Sequence, residues 1–189
     1  DFLACFQCKS DAENFRRRLE DRLEGFGLEL AKEKTHCIEF GRFAREAAYK
    51  RGEKPKEFTF LGLTHYCGKT RKGYFKEKRR TSRKKLVQSL RSFTVWAKKV
   101  RHVLKKGEVL RQARTRVIGH LSYYAITDNL ERCSFYVYRA TRILFKWLNR
   151  KSQRKAYTWS TFNQALAWVG WPKPRVRKDL NPYRRTEAY

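Results

Sequence analysis

The residues whose types and spacing could do chemistry are mostly cations. Lys84, Arg91, Lys98 and Lys105 recur every seven residues, Arg111 and Arg114 follow three apart, and Arg139, Arg142, Lys146 and Arg150 follow at intervals of three and four. Seven residues are close to two helical turns, so each set makes a stripe along one helix face. A solvated helix face ordinarily mixes signs, because Glu–Lys pairs four apart help a helix while like charges repel. Between 81 and 150 the acidic residues are Glu108, Asp128 and Glu131 only. Two of these stand near helix starts, where the dipole favours a carboxylate. Stripes so poorly neutralised cost stability unless phosphates supply the counter-charge. They point to nucleic-acid binding.

Other chemistry is sparse. Cys5 and Cys8 have C-x-x-C spacing. On a strand, residues three apart point to opposite faces, and no second pair with ligand spacing follows, so zinc is not expected. Cys37, Cys67 and His65 could approach one another from neighbouring strands, but small buried thiols are the commoner reading. His102 and His120 fall within helical patterns, as packing or surface residues. Asp1 is the one carboxylate whose position invites a catalytic reading.

Composition bounds what these residues can serve. The chain has 189 residues, 46 Lys and Arg against 18 Asp and Glu, and a formal charge of +28. Its 15% aromatic content argues against a disordered basic tail, and its length allows one or two domains with a real core. There is no run of 18 apolar residues, so no membrane span is expected. Five scattered cysteines without a secretory signal suggest reduced thiols in the cytoplasm. The chain has no Met and opens with Asp1 running into apolar Phe2–Phe6, which reads as part of something longer.

The elements that must position the cations change character near residue 80. Residues 1–80 hold 20 basic and 13 acidic residues, whereas 81–189 hold 26 and 5. In the first part, Phe2–Gln7 reads as a buried strand. Ser10 with Glu13 opens a helix carrying Phe15, Leu19, Leu23 and Phe26 on one face. Cys37–Phe40 reads as a second strand and 41–57 as a loop. Phe58–Tyr66 is a third strand and Gly73–Lys76 begins a fourth, joined by a hairpin turn over Gly68–Gly73. In the second part, Thr81 or Ser82 caps a long helix with Leu86, Leu90, Phe93, Ala97, Val100 and Leu104 inward. A second helix turns in Leu110, Ala113, Val117, Leu121 and Tyr124. Asp128 or Asn129 caps a third, with Val137, Ala140, Leu144 and Trp147 toward the core. A fourth runs from about Thr158 to Trp168, stopped by Gly170 and Pro172. Helices with short connections make a bundle.

In order along the chain stand Asp1-Phe2-Leu3, Gly27-Leu28-Glu29-Leu30, Glu33-Lys34-Thr35, Ile38-Glu39-Phe40-Gly41-Arg42, Phe60-Leu61-Gly62 and Gly68-Lys69-Thr70-Arg71-Lys72-Gly73. Thr81-Ser82-Arg83-Lys84, Gly119-His120-Leu121-Ser122-Tyr123-Tyr124 and Trp171-Pro172-Lys173-Pro174-Arg175 follow. This succession resembles the end of the palm and the thumb, or domain X, of group II intron reverse transcriptase/maturases of bacterial type. Such proteins copy intron RNA into DNA and help the intron fold and splice.

The resemblance implies that Asp1 is the second aspartate of the catalytic tetrad and a ligand of Mg²⁺ in the intact parent enzyme. Lys34 falls where polymerases place a general acid toward pyrophosphate, with a plain surface lysine at a strand start as the alternative. Leu61 and Gly62 would position the primer strand through their backbone. The fingers and the other catalytic aspartates of the family have no counterpart here, and two-metal transfer needs several carboxylates, so these residues alone should not polymerise.

The expected fold is therefore α+β, with a truncated reverse-transcriptase palm over 1–80. A helical thumb would follow over 81–170, and a basic extended tail over 171–189. The expected partners are intron RNA and an RNA–DNA template-primer duplex, with no membrane and no small-molecule cofactor. An RNA-binding maturase remnant without polymerase activity and a basic structural RNA-binding protein are the alternatives.

Overall fold

The computed structural model describes residues 2–150 and 156–177. Its elements run α1 (Lys9–Glu24), α2 (Ala44–Lys50), β1 (Phe58–Phe60), β2 (Leu63–Lys69), β3 (Phe75–Thr81), α3 (Arg83–Val103), α4 (Lys106–Tyr124), α5 (Leu130–Leu148) and α6 (Trp159–Trp168). The fold is mixed α+β, with a three-stranded antiparallel sheet in the order β1-β2-β3. The described residues form two compact units, one of residues 2–60 and 65–78, the other of 61–64, 79–150 and 156–177.

The second unit holds nearly all the buried apolar surface. Leu86 and Phe93 of α3 meet Val109, Leu110, Ala113, Val117 and Leu121 of α4 in one cluster with Tyr136, Ala140, Leu144 and Leu148 of α5. Phe162 and Leu166 of α6 complete it. The buried positions on each helix gather on one face, as the 3.6-residue period requires: Leu86, Phe93 and Ala97 on α3 are seven and four apart. Ser82 caps α3 by accepting a hydrogen bond from the Lys85 amide. Thr158 caps α6, and Thr161 returns the bond to its backbone in a reciprocal pair. Trp147 departs from expectation. The buried residues near the end of α5 are Leu144 and Leu148, and Trp147 stands partly buried at the edge of the stripe.

The first unit is thinly packed. Helix α1 buries no residue, and the buried hydrophobics of this unit are Ala44, Ala48 and Cys67. Phe2–Gln7 is not a strand, and Phe2, Leu3 and Phe6 are exposed. Cys37–Phe40 is not a strand either. A strand exists only where a neighbour exchanges backbone hydrogen bonds with it, and among the described residues neither stretch has one. The segment 41–57 is not all loop, since it contains α2. Cys8, not Ser10, occupies the start of α1, and no side chain caps it. The expected strand Phe58–Tyr66 is two strands, parted by a turn at Leu61-Gly62, and the hairpin that follows joins β2 to β3.

Local opening follows buried contact density. Amide hydrogen exchange should therefore find α1 orders of magnitude less protected than α4 and α5. Equal protection of Lys9–Glu24 and Lys106–Tyr124 would contradict the packing described here.

Candidate nucleic-acid interface

The second unit carries the expected cations on its outer faces. Lys84, Arg91, Lys98, Lys105, Arg111, Arg114, Arg139, Arg142, Lys146 and Arg150 are all exposed. On α3, Lys84 and Arg91 lie about 200° around the helix from Leu86 and Phe93, so burying one pair presents the other to solvent. Lys105 breaks the seven-residue series. Helix α3 ends at Val103, and Lys105 is instead the residue that precedes α4.

Several of these side chains are held in place. Arg114 Nε donates to the Gly170 carbonyl at 3.1 Å, and Arg111 pairs with Glu108 at 3.5 Å while lying 5.4 Å from the Trp168 ring centre. Arg142 Nη1 donates to the Tyr138 hydroxyl at 3.1 Å. Sequence reasoning missed Arg101, which lies 4.8 Å from the Trp147 ring centre, and Arg116, which lies 4.8 Å from that of Trp96. The partners of these two arginines sit on other helices, so no local spacing announces them. Cations laid on aromatic faces gain attraction from the ring quadrupole and keep their outer N–H groups for an anion.

The turn between β1 and β2 belongs to this unit. Leu61 and Gly62 both have left-handed backbone, with φ of 48° and 79°. The Leu61 carbonyl accepts from the Tyr123 hydroxyl at 2.8 Å, and the Gly62 carbonyl accepts from the Ser82 amide at 2.9 Å. A Cβ on Gly62 would come within 2.8 Å of the Tyr124 hydroxyl oxygen, so glycine is required by both conformation and space. This backbone is thus held by Ser82 at the start of α3 and Tyr123 at the end of α4.

A groove of about 410 Å³ lies among α3, α4 and α5, with Lys85, Arg116, Ser89 and Ser92 among its lining residues. His120 lines it too, stacked on Tyr136 with ring centres 3.6 Å apart. Burial pushes its imidazole down to about 4, so it is neutral at physiological pH. Cys133 is buried, donates to the Tyr124 carbonyl at 3.3 Å, and has its thiol pushed up to about 11 by desolvation. It is a packing residue.

Of the two expected catalytic residues, only Lys34 is among the described residues. Asp1 lies outside the described residues. Lys34 is exposed, at the end of a 3-10 turn over Lys32–Lys34 and not at the start of a strand. Among the described residues no three His, Cys, Asp or Glu side chains converge as a metal site would need. Cys67 is buried and donates to the Gly41 carbonyl at 3.6 Å, Cys37 is exposed, and His65 Nδ1 lies 2.7 Å from Glu77. No helix among the described residues is long and apolar enough to cross a membrane. Comparison with protein-family models, characterised proteins and solved structures gives no match to this chain.

Proposed function

We propose that this chain binds structured RNA and an RNA–DNA duplex through its helical second unit, as the end of the palm and the thumb of a group II intron reverse transcriptase/maturase. One observation carries the binding reading: all ten expected cations are exposed on a unit that holds a buried apolar cluster of its own. A helical unit that tolerates so much like charge gains stability from a polyanion laid across it. The ordered succession of family-like blocks supports the narrower reading, and the Leu61-Gly62 turn is the part of it with the most defined geometry.

The alternative reading is an RNA-binding maturase remnant without polymerase activity. The test uses the purified 189-residue chain. It should bind a labelled structured RNA and an RNA–DNA duplex in fluorescence anisotropy. With primer, template, nucleotides and Mg²⁺ it should incorporate nothing. Failure to bind either nucleic acid would overturn the binding reading. Incorporation that survives an Asp1→Ala control would overturn the reading of the carboxylates.

A further inference from the structure

Trp147 is the centre of an unusual cluster. The ammonium groups of Lys98 and Lys146 lie 4.8 and 5.7 Å from its ring centre, and the guanidinium carbons of Arg101 and Arg150 lie 4.8 and 5.5 Å from it. Lys98 and Arg101 come from α3, Lys146 and Trp147 from α5, and Arg150 lies just beyond its end. Arg101 is fixed further: its Nη1 donates to the Arg150 carbonyl at 3.1 Å and its Nε to His102 Nε2 at 2.8 Å. Among the described residues no carboxylate pairs with any of the four cations. Four positive charges around one partly buried indole repel one another, and the ring quadrupole offsets only part of that repulsion.

The chemistry wanted at this place is negative and flat. A phosphate alone would answer the charge and leave the aromatic layer unused. A duplex offers phosphates but keeps its base faces stacked inside. An unpaired nucleotide offers both, because its phosphate can meet the ammonium groups while its base stacks on the guanidinium planes or the indole. We propose that the Trp147 cluster is a docking site for an unpaired nucleotide of RNA, such as a bulged or overhanging residue beside a helix. This rests on the nucleic-acid reading above and adds a preference that exposed stripes such as Lys84 and Arg91 cannot supply, since scattered cations read only phosphate.

Fluorescence anisotropy with two RNA hairpins of one stem sequence tests it, one blunt and one carrying a single bulged nucleotide. The unmodified chain should bind the bulged hairpin tighter by roughly 5- to 150-fold, the range that stacking one base supplies. Trp147→Leu should abolish that preference, and blunt-hairpin binding should remain measurable because no charge is removed. Trp147→Phe should keep part of the preference, and Arg101→Gln should weaken it. The two milder variants decide the matter should the leucine variant misfold. Equal binding of the two hairpins by the unmodified chain, or a Trp147→Phe and Arg101→Gln pair that keeps the full preference, would overturn the proposal while leaving general RNA binding intact. Binding of neither hairpin would overturn both readings together.

Discussion

Raising the salt from about 50 to 200 mM should weaken binding of structured RNA by roughly a thousand- to a hundred-thousand-fold. That is the loss expected for a footprint of about 6–10 phosphates, because each neutralised phosphate releases condensed counterions whose return is favoured in concentrated salt. The exposed cations of α3, α4 and α5 are numerous enough for such a footprint. Changing Lys84 and Arg91 together to Gln should make the slope of log affinity against log salt shallower by about one to two. The fold should persist in that variant, since both residues are exposed and neither touches the buried cluster. Removing like-charge repulsion should if anything raise its melting temperature. Titrations at four or five salt concentrations measure the slope. An unchanged slope in the double variant would place the phosphates on another face.

Asn129→Leu should destabilise the second unit as strongly as the loss of a large core side chain. Asn129 is fully buried, and its side chain joins the end of β3, the end of α4 and the start of α5. Its Oδ1 accepts from the Thr81 amide at 2.7 Å, and its Nδ2 donates at 2.8 Å to both the Thr81 hydroxyl and the Tyr124 carbonyl. A leucine of similar volume leaves the buried Thr81 amide and hydroxyl without these partners. Each orphaned polar group costs about 1–3 kcal/mol, so the total should be about 3–5 kcal/mol. For a unit of this size the melting temperature should fall by on the order of 15 °C or more. Asn129→Asp should not rescue it, because a carboxylate can accept from the Thr81 amide but cannot donate to the Tyr124 carbonyl. Calorimetry on the two variants checks this. A fall of only a degree or two in Asn129→Leu would mean that the three elements are held together by apolar packing alone.

What could be read in advance follows the range of the interactions. Helices α3 to α6 were legible because amphipathic periodicity is local: the residues that set the phase of Leu86, Phe93 and Ala97 are neighbours in the chain. The cap at Ser82, one of two candidates with Thr81, was legible for the same reason, since its side chain bonds an amide three residues on. The outward direction of the ten cations followed once the inward direction of the apolar residues was known. Strands were read less well. Phe2–Gln7 and Cys37–Phe40 have strand-like composition, but composition cannot supply a neighbouring strand. Phe58–Tyr66 looked continuous because Leu61 is an unusual residue to adopt left-handed backbone.

The sequence by itself determined the α+β class, the basic helical half and the faces on which its charges lie, because charge sign and helical phase need nothing beyond the residue order. Only the tertiary structure decided the rest. The Leu61-Gly62 turn is held by Tyr123 and Ser82, and Thr81 is tied to Asn129. Trp147 was expected in the core, yet it stands at the helix edge beneath Lys98 and Arg101 of α3. Each of these rests on a hydrogen bond or a ring contact between residues some twenty to sixty positions apart. Periodicity within one helix carries no information about which residue of another helix will lie across from it.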